Sequence, residues 1–252
     1  MIIHPIIRRA QIYRFLADAF LYPQESWLED LPDLYPILKD LGLENLQPSL
    51  ACFLACFDAG KAGAAGKAGT FNLQLDVLQD EHRRTFGLTG SLCYETELGM
   101  PNEYRQSQEM ADISGFYRAF GFRVGGEQRE RPDHLATELE FLYVLSLKEA
   151  YAAEQGIEER VEVCVEARRS FLRDHLGRWI GLFAQSIARG AGSDSVDNPY
   201  LWLSRLAEAV VQADAHSLGI SLESRRLDEV QPTPIGPDIS CETCPANALQ
   251  EE

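Results

Sequence analysis

Residues 130–155 read Glu-Arg-Pro-Asp-His-Leu-Ala-Thr-Glu-Leu-Glu-Phe-Leu-Tyr-Val-Leu-Ser-Leu-Lys-Glu-Ala-Tyr-Ala-Ala-Glu-Gln, and this stretch decides the fold. Its middle, Leu139 to Leu147, is apolar nearly all round, which is the pattern of a helix at the buried centre of an all-helical protein. The spacing predicts a helix from about Pro132 to Gln155. Pro132 is preset for a first helical turn and lacks an N–H that would go unpaired there. Asp133 puts a carboxylate where free backbone N–H groups and the positive end of the helix dipole favour it. The same field disfavours a charged imidazole, so His134 is expected to be neutral, one ring nitrogen donating and the other accepting.

Outward from this helix the apolar period stays helical. Towards the N-terminus, an amphipathic helix is expected within Met1–Tyr22, with Ile6, Ile7, Ala10, Tyr13, Ala17 and Phe20/Leu21 inward. Pro32 and Pro36 keep the next stretch short or kinked, and a helix is expected near 48–57. Residues 58–70 are poor in large apolar side chains and read as a flexible loop. Helical spacing resumes at Phe71, Leu75, Leu78 and His82 and ends near Phe86-Gly87, and a further helix runs from about Arg105 to Phe120, closed by Gly121. Towards the C-terminus, one long helix is expected from Glu158 to Ala188. Asp197-Asn198-Pro199 then caps a last one reaching Leu218. No period-2 run qualifies as a strand. The expected architecture is all-α, with about eight to eleven helices in one domain over 1–222. A Pro-rich tail over 223–252 carries Cys241-x-x-Cys244.

Charge narrows the function. Lys and Arg number 23 against 39 Asp and Glu, a formal net charge of −16. A field of that sign repels phosphate backbones and argues against a nucleic-acid role. No stretch approaches the roughly 18 apolar residues of a membrane span. Arg8-Arg9 imitates a twin-arginine export signal, but Arg14 and Asp18 interrupt the apolar run that such a signal needs. A cytoplasmic protein with reduced cysteines is expected.

Three constellations could carry chemistry. Glu130, Asp133 and His134 form a polar cluster at a loop mouth, suited to gripping a peptide backbone or an arginine. Read from the residues alone, they serve better as a helix cap and a hydrogen-bonded core histidine. His134, Glu138, Glu81 and His82 are the residues of a helical metalloenzyme, yet the Glu-x-x-His pair of four-helix metal sites is not repeated. Cys241 and Cys244 have the spacing of two metal ligands or a redox pair, which leaves a metal or iron–sulfur carrier open. Cys52 and Cys56, one helical turn apart among Leu50, Phe53, Leu54 and Phe57, read as core. Phosphate loops, Gly-x-Gly-x-x-Gly and Gly-x-Ser-x-Gly are missing, so nothing demands catalysis.

Met110-Ala-Asp-Ile-Ser-Gly-Phe-Tyr-Arg-Ala-Phe-Gly121, followed by Glu130-Arg-Pro-Asp-His134, resembles the TorD/DmsD/NarJ family of redox-enzyme maturation chaperones. Ile12 to Pro23 is similar to that family's first helix, and His175-Leu-x-x-Trp179 with Pro199-Tyr-Leu201 to its closing helices. The resemblance implies a chaperone, with no enzymatic activity and no cofactor of its own, for a molybdenum-cofactor oxidoreductase. It would hold the catalytic subunit, or its twin-arginine signal peptide, until the cofactor is inserted, as a monomer or a helix-swapped dimer. By position, Glu130, Pro132, Asp133 and His134 would belong to the peptide-binding region, with Tyr94 and Glu95 beside it. The family's Tyr-x-x-Leu-Phe reads His82-Arg-Arg-Thr-Phe86 here, so only Phe86 carries over. Phe86, Tyr94, Phe116 and Phe120 would be candidate walls of an apolar groove. The Cys241-x-x-Cys244-Pro245 tail looks like the accessory subunits of ethylbenzene or dimethyl sulfide dehydrogenases and of selenate or (per)chlorate reductases.

Overall fold

The computed structural model describes residues 3–24, 43, 70–87, 93–98, 103–125, 130–191 and 198–222. The expected helix at 48–57 with its two cysteines, the 58–70 loop up to Gly69 and the Cys241-x-x-Cys244 tail lie outside these residues. In chain order the helices are α1 (Ile3–Ala19), α2 (Thr70–Phe86), α3 (Glu95–Leu98), α4 (Glu103–Ala119), α5 (Leu135–Glu154), α6 (Glu158–Asp174), α7 (Leu176–Ala191) and α8 (Pro199–Ser217). Strands are absent among the described residues, where the only bridge joins Tyr94 to His134 in antiparallel sense. The fold is all-α, and none of its described helices is long and apolar enough to cross a membrane.

The central helix is α5, as its composition requires. Leu135, Leu139, Phe141, Leu142 and Leu145 are buried on it, and α1 lies along one side while α6 packs on another. The inward set of α1 is wider than expected. Ile6, Ala10, Tyr13, Ala17 and Phe20 are buried, and so are Ile12, Phe15, Leu16 and Ala19, whereas Ile7 and Leu21 are half-buried. A helix wedged between neighbours buries more than the stripe that one flat contact would need.

Two local signals act as read. Gly121 takes φ +67°, the left-handed conformation that ends α4 without a Cβ clash. Asn198 caps α8, its side-chain oxygen accepting from the Tyr200 N–H at 2.8 Å, with Pro199 in the first turn.

Two expectations need correcting. The helix expected across 158–188 is two helices, broken at His175 (φ −124°, ψ −105°). No proline or glycine sits at 175. The imidazole is instead drawn inward to Glu95, 80 positions earlier in the chain. The turn also brings Gly177 so close that a Cβ would stand 2.2 Å from the Leu172 carbonyl oxygen and 2.6 Å from Leu222. Secondly, α5 starts at Leu135, with His134 as its N-cap, so Pro132 and Asp133 lie in the turn before the helix. The chain stays non-helical that far because its backbone is recruited elsewhere. The Glu95 N–H donates to the Asp133 carbonyl at 2.9 Å, and the Leu135 N–H to the Cys93 carbonyl at 2.8 Å.

Candidate functional site

That bridge sets two segments, 93–98 with its short helix α3 and the turn at 130–134, side by side at the N-terminus of α5. His134 closes the helix with its ring, Nδ1 accepting from the Ala136 N–H at 3.1 Å. An accepting Nδ1 is unprotonated, and burial lowers the pKa of this imidazole, so it is neutral as expected. The Tyr94 ring meets the His134 ring edge-on at 5.1 Å. Tyr94 Oη donates to Glu130 at 3.2 Å, and burial together with that carboxylate pushes the phenol up to about 12.

Asp133 is fully buried. Its carboxylate takes both arms of the Arg131 guanidinium, Nε at 3.0 Å and Nη2 at 2.8 Å, while the Thr96 hydroxyl donates to it at 2.7 Å. Arg131 continues outward, Nη1 to Glu97 at 2.8 Å and Nη2 to the Thr96 oxygen at 3.0 Å, with its Cζ 4.3 Å from the centre of the Tyr94 ring. Burial opposes charge on this guanidinium, but the hydrogen bonds and charges of Asp133 and Glu97 prevail and raise its pKa. Asp133, expected to meet a partner directly, is thus held by Arg131, a residue the sequence reading passed over. Only the Arg131-x-Asp133 spacing could have signalled it. The Pro132 carbonyl is fixed from behind by the Tyr117 hydroxyl at 2.7 Å.

Beneath this rim lies a floor of buried ionisable groups. Glu95 approaches His175 Nδ1 at 3.3 Å, and Glu138 accepts from the Trp179 indole N–H at 3.2 Å. Burial, then the nearby Glu95 charge, drives the Glu138 pKa well up and favours the protonated carboxyl. Its Oε1 and His175 Nε2 find no hydrogen-bond partner among the described residues, although Asp112 approaches that nitrogen at 3.4 Å.

The expected residues therefore separate into layers. Glu130, Pro132 and Tyr94 are partly accessible, whereas Asp133, His134 and Glu95 are buried. Phe86 packs in an aromatic group with His82, Phe183 and Tyr200. Burial there holds the His82 pKa down to about 4. Phe116 packs on Phe141, Phe171 and His175, and Phe120 on Phe141, so both serve the core. The four residues of the metalloenzyme reading do not converge. Glu81 is held by Arg84, Glu138 faces Trp179, and no group of three or more ligands able to hold a metal exists among the described residues.

Residues 68–185 match the family model described as nitrate reductase delta subunit. The chain is 27% identical over 207 residues to the selenate reductase assembly chaperone protein of Thauera selenatis, covering 82% of this chain and 88% of that protein. It is 29% identical over 175 residues to the chlorate reductase assembly chaperone protein of Ideonella dechloratans, 69% of this chain and 74% of that one. A perchlorate reductase assembly chaperone protein from Dechloromonas aromatica (strain RCB) is 29% identical over 113 residues, 45% of this chain and 48% of its own. No solved structure matches the chain.

Proposed function

As the chain resembles the TorD/DmsD/NarJ family along most of its described length, we propose that it is a cytoplasmic assembly chaperone for a molybdenum-containing oxidoreductase. The observation that carries this is the kinship with the selenate reductase chaperone across 82% of one chain and 88% of the other. The chaperone makes and breaks no bond. It binds the catalytic subunit and masks its twin-arginine leader while the cofactor is being inserted, with no cofactor of its own.

The rim formed by Tyr94, Glu97 and Glu130 around Arg131 suits the leader's basic end. Carboxylates hold guanidinium groups by paired, charge-assisted hydrogen bonds, and an aromatic face adds cation–π attraction. The −16 net charge draws a basic peptide in from solution. His134 and Pro132 shape the turn that presents these groups.

Calorimetry with a synthetic peptide bearing an Arg-Arg pair before a ten-residue apolar stretch tests the reading. The expected result is saturable binding that weakens with salt and falls at least tenfold when both arginines become lysine. Lysine keeps the charge but lacks the planar fork. Absence of binding to either peptide would remove the leader from the proposal.

A further inference from the structure

We propose that Arg131 is a built-in stand-in ligand: it occupies a guanidinium seat made by Asp133, Thr96, Glu97 and the Tyr94 ring, and a partner's arginine takes that seat by displacing it. The inference rests on the leader-binding reading for the identity of the partner, but the seat itself is argued from its geometry.

The seat is built for a planar fork. Asp133 meets the Nε and Nη2 edge at 3.0 and 2.8 Å, Glu97 meets Nη1 at 2.8 Å, and the Thr96 oxygen takes a second hydrogen from Nη2 at 3.0 Å. The Tyr94 ring lies 4.3 Å from the guanidinium carbon. A guanidinium carries five N–H donors in a rigid plane, and this arrangement engages four while covering the ring face. An ammonium group has neither the plane nor the fork.

Exchange is feasible because the occupant and the carboxylate at the seat's base differ in exposure. The Arg131 side chain is 38% exposed, whereas that of Asp133 is at 0%. Arg131 thus lies between the carboxylate and solvent and can swing outward on its flexible stem without disturbing the backbone. The seat itself is rigid. Thr96 lies in α3, tied to 133–135 by the two bridge hydrogen bonds, and the Pro132 carbonyl is pinned by Tyr117. An incoming guanidinium would restore each hydrogen bond that Arg131 gives up, so Asp133 is never left buried and unpaired. Empty, the site would present such a carboxylate. Filled from within, it discriminates against weak ligands, because a competitor must bring further contacts to win the exchange.

The test uses the full chain, with methylguanidinium as the small probe and methylammonium as its control. In Arg131→Ala, millimolar methylguanidinium should raise Tm saturably by several degrees, with methylammonium giving little. Wild type should respond far less, its seat being filled. Arg131→Ala should also bind the Arg-Arg peptide about tenfold more tightly than wild type, with no such gain for the Lys-Lys peptide. Arg131→Lys, which keeps a cation over Asp133, serves as the second variant if alanine prevents folding, and should show the same methylguanidinium response at reduced size. If the folded variants give no saturable response to methylguanidinium, the seat does not accept external ligands and the inference falls. A methylguanidinium response without peptide binding would leave the seat standing and remove the leader. Equal peptide affinity in wild type and Arg131→Ala, with no methylguanidinium effect, would do the reverse.

Discussion

The two ends of α5 both bury charge, and they do it differently. Towards the C-terminal end, Glu149 meets Arg9 from α1 and Arg168 from α6, and Asp214 on α8 lies 3.7 Å from Arg168 while accepting from Tyr13 at 2.8 Å. Two arginines face two carboxylates, and the network joins four helices. At the N-terminal end, Asp133 meets Arg131, Glu95 meets His175 and Glu138 accepts from Trp179, and the arginine is partly exposed. The first arrangement is balanced and closed, as a structural staple would be. The second pairs a fully buried carboxylate, Asp133, with an arginine whose side chain is 38% exposed, so it is open to solvent where the first is closed.

The contrast breaks most readily at the staple. Arg168→Met should leave Glu149 and Asp214 buried beside too little positive charge and cost about 3–5 kcal/mol of stability, read as a large fall in the thermal midpoint. A small change would mean that Arg9 alone balances both acids and that the network is not a unit.

Next in size is a pH effect at the opposite end. The Glu138 pKa is raised in the fold, so the folded protein holds a proton that the unfolded chain releases above its ordinary value of 4.5. Wild-type stability therefore drops as pH rises from there towards the folded pKa, at up to about 1.4 kcal/mol per pH unit from this group. Glu138→Gln is neutral at every pH and keeps an oxygen for the Trp179 N–H. The Tm difference, variant minus wild type, should grow as pH rises above the ordinary carboxyl value of 4.5. A difference independent of pH would show that Glu138 is ionised in the fold.

Two smaller tests separate cap from rim. His134→Ala removes the α5 N-cap and should cost about 1 kcal/mol in denaturant unfolding. Leader affinity should also fall, since Tyr94 loses its edge contact; an affinity equal to wild type would make His134 a cap alone. Glu97→Gln alters the exposed pair with Arg131 and should change stability by at most about 1 kcal/mol. A larger loss would mean that the rim is as rigid as the staple.

How legible these features were depended on where their causes lie. The end of α4 and the start of α8 were plain because Gly121 and Asn198-Pro199 act on their own backbones. The break at His175 was invisible because its partner, Glu95, is remote in sequence. The start of α5 was misplaced for the same reason, since Cys93 and Glu95 capture the backbone of 133–135. Within the site, the motif 130–134 was recognisable and its neutral His134 followed from a local field. The division into exposed rim and buried floor was not, nor was Arg131 as the partner of Asp133. Arg9 was noticed only as half of a misleading export signal, and its inward turn to Glu149 required a second helix.

Sequence alone determined that this protein is helical, that a helix over about 132–155 forms its centre and that a Pro-Asp-His motif opens it. Periodicity, capping and turn chemistry are properties of neighbouring residues. Only tertiary structure decided which charges are buried, which are paired and which stay open to solvent. A side chain's desolvation and Coulomb energy depend on groups brought near by folding, and no local pattern records them.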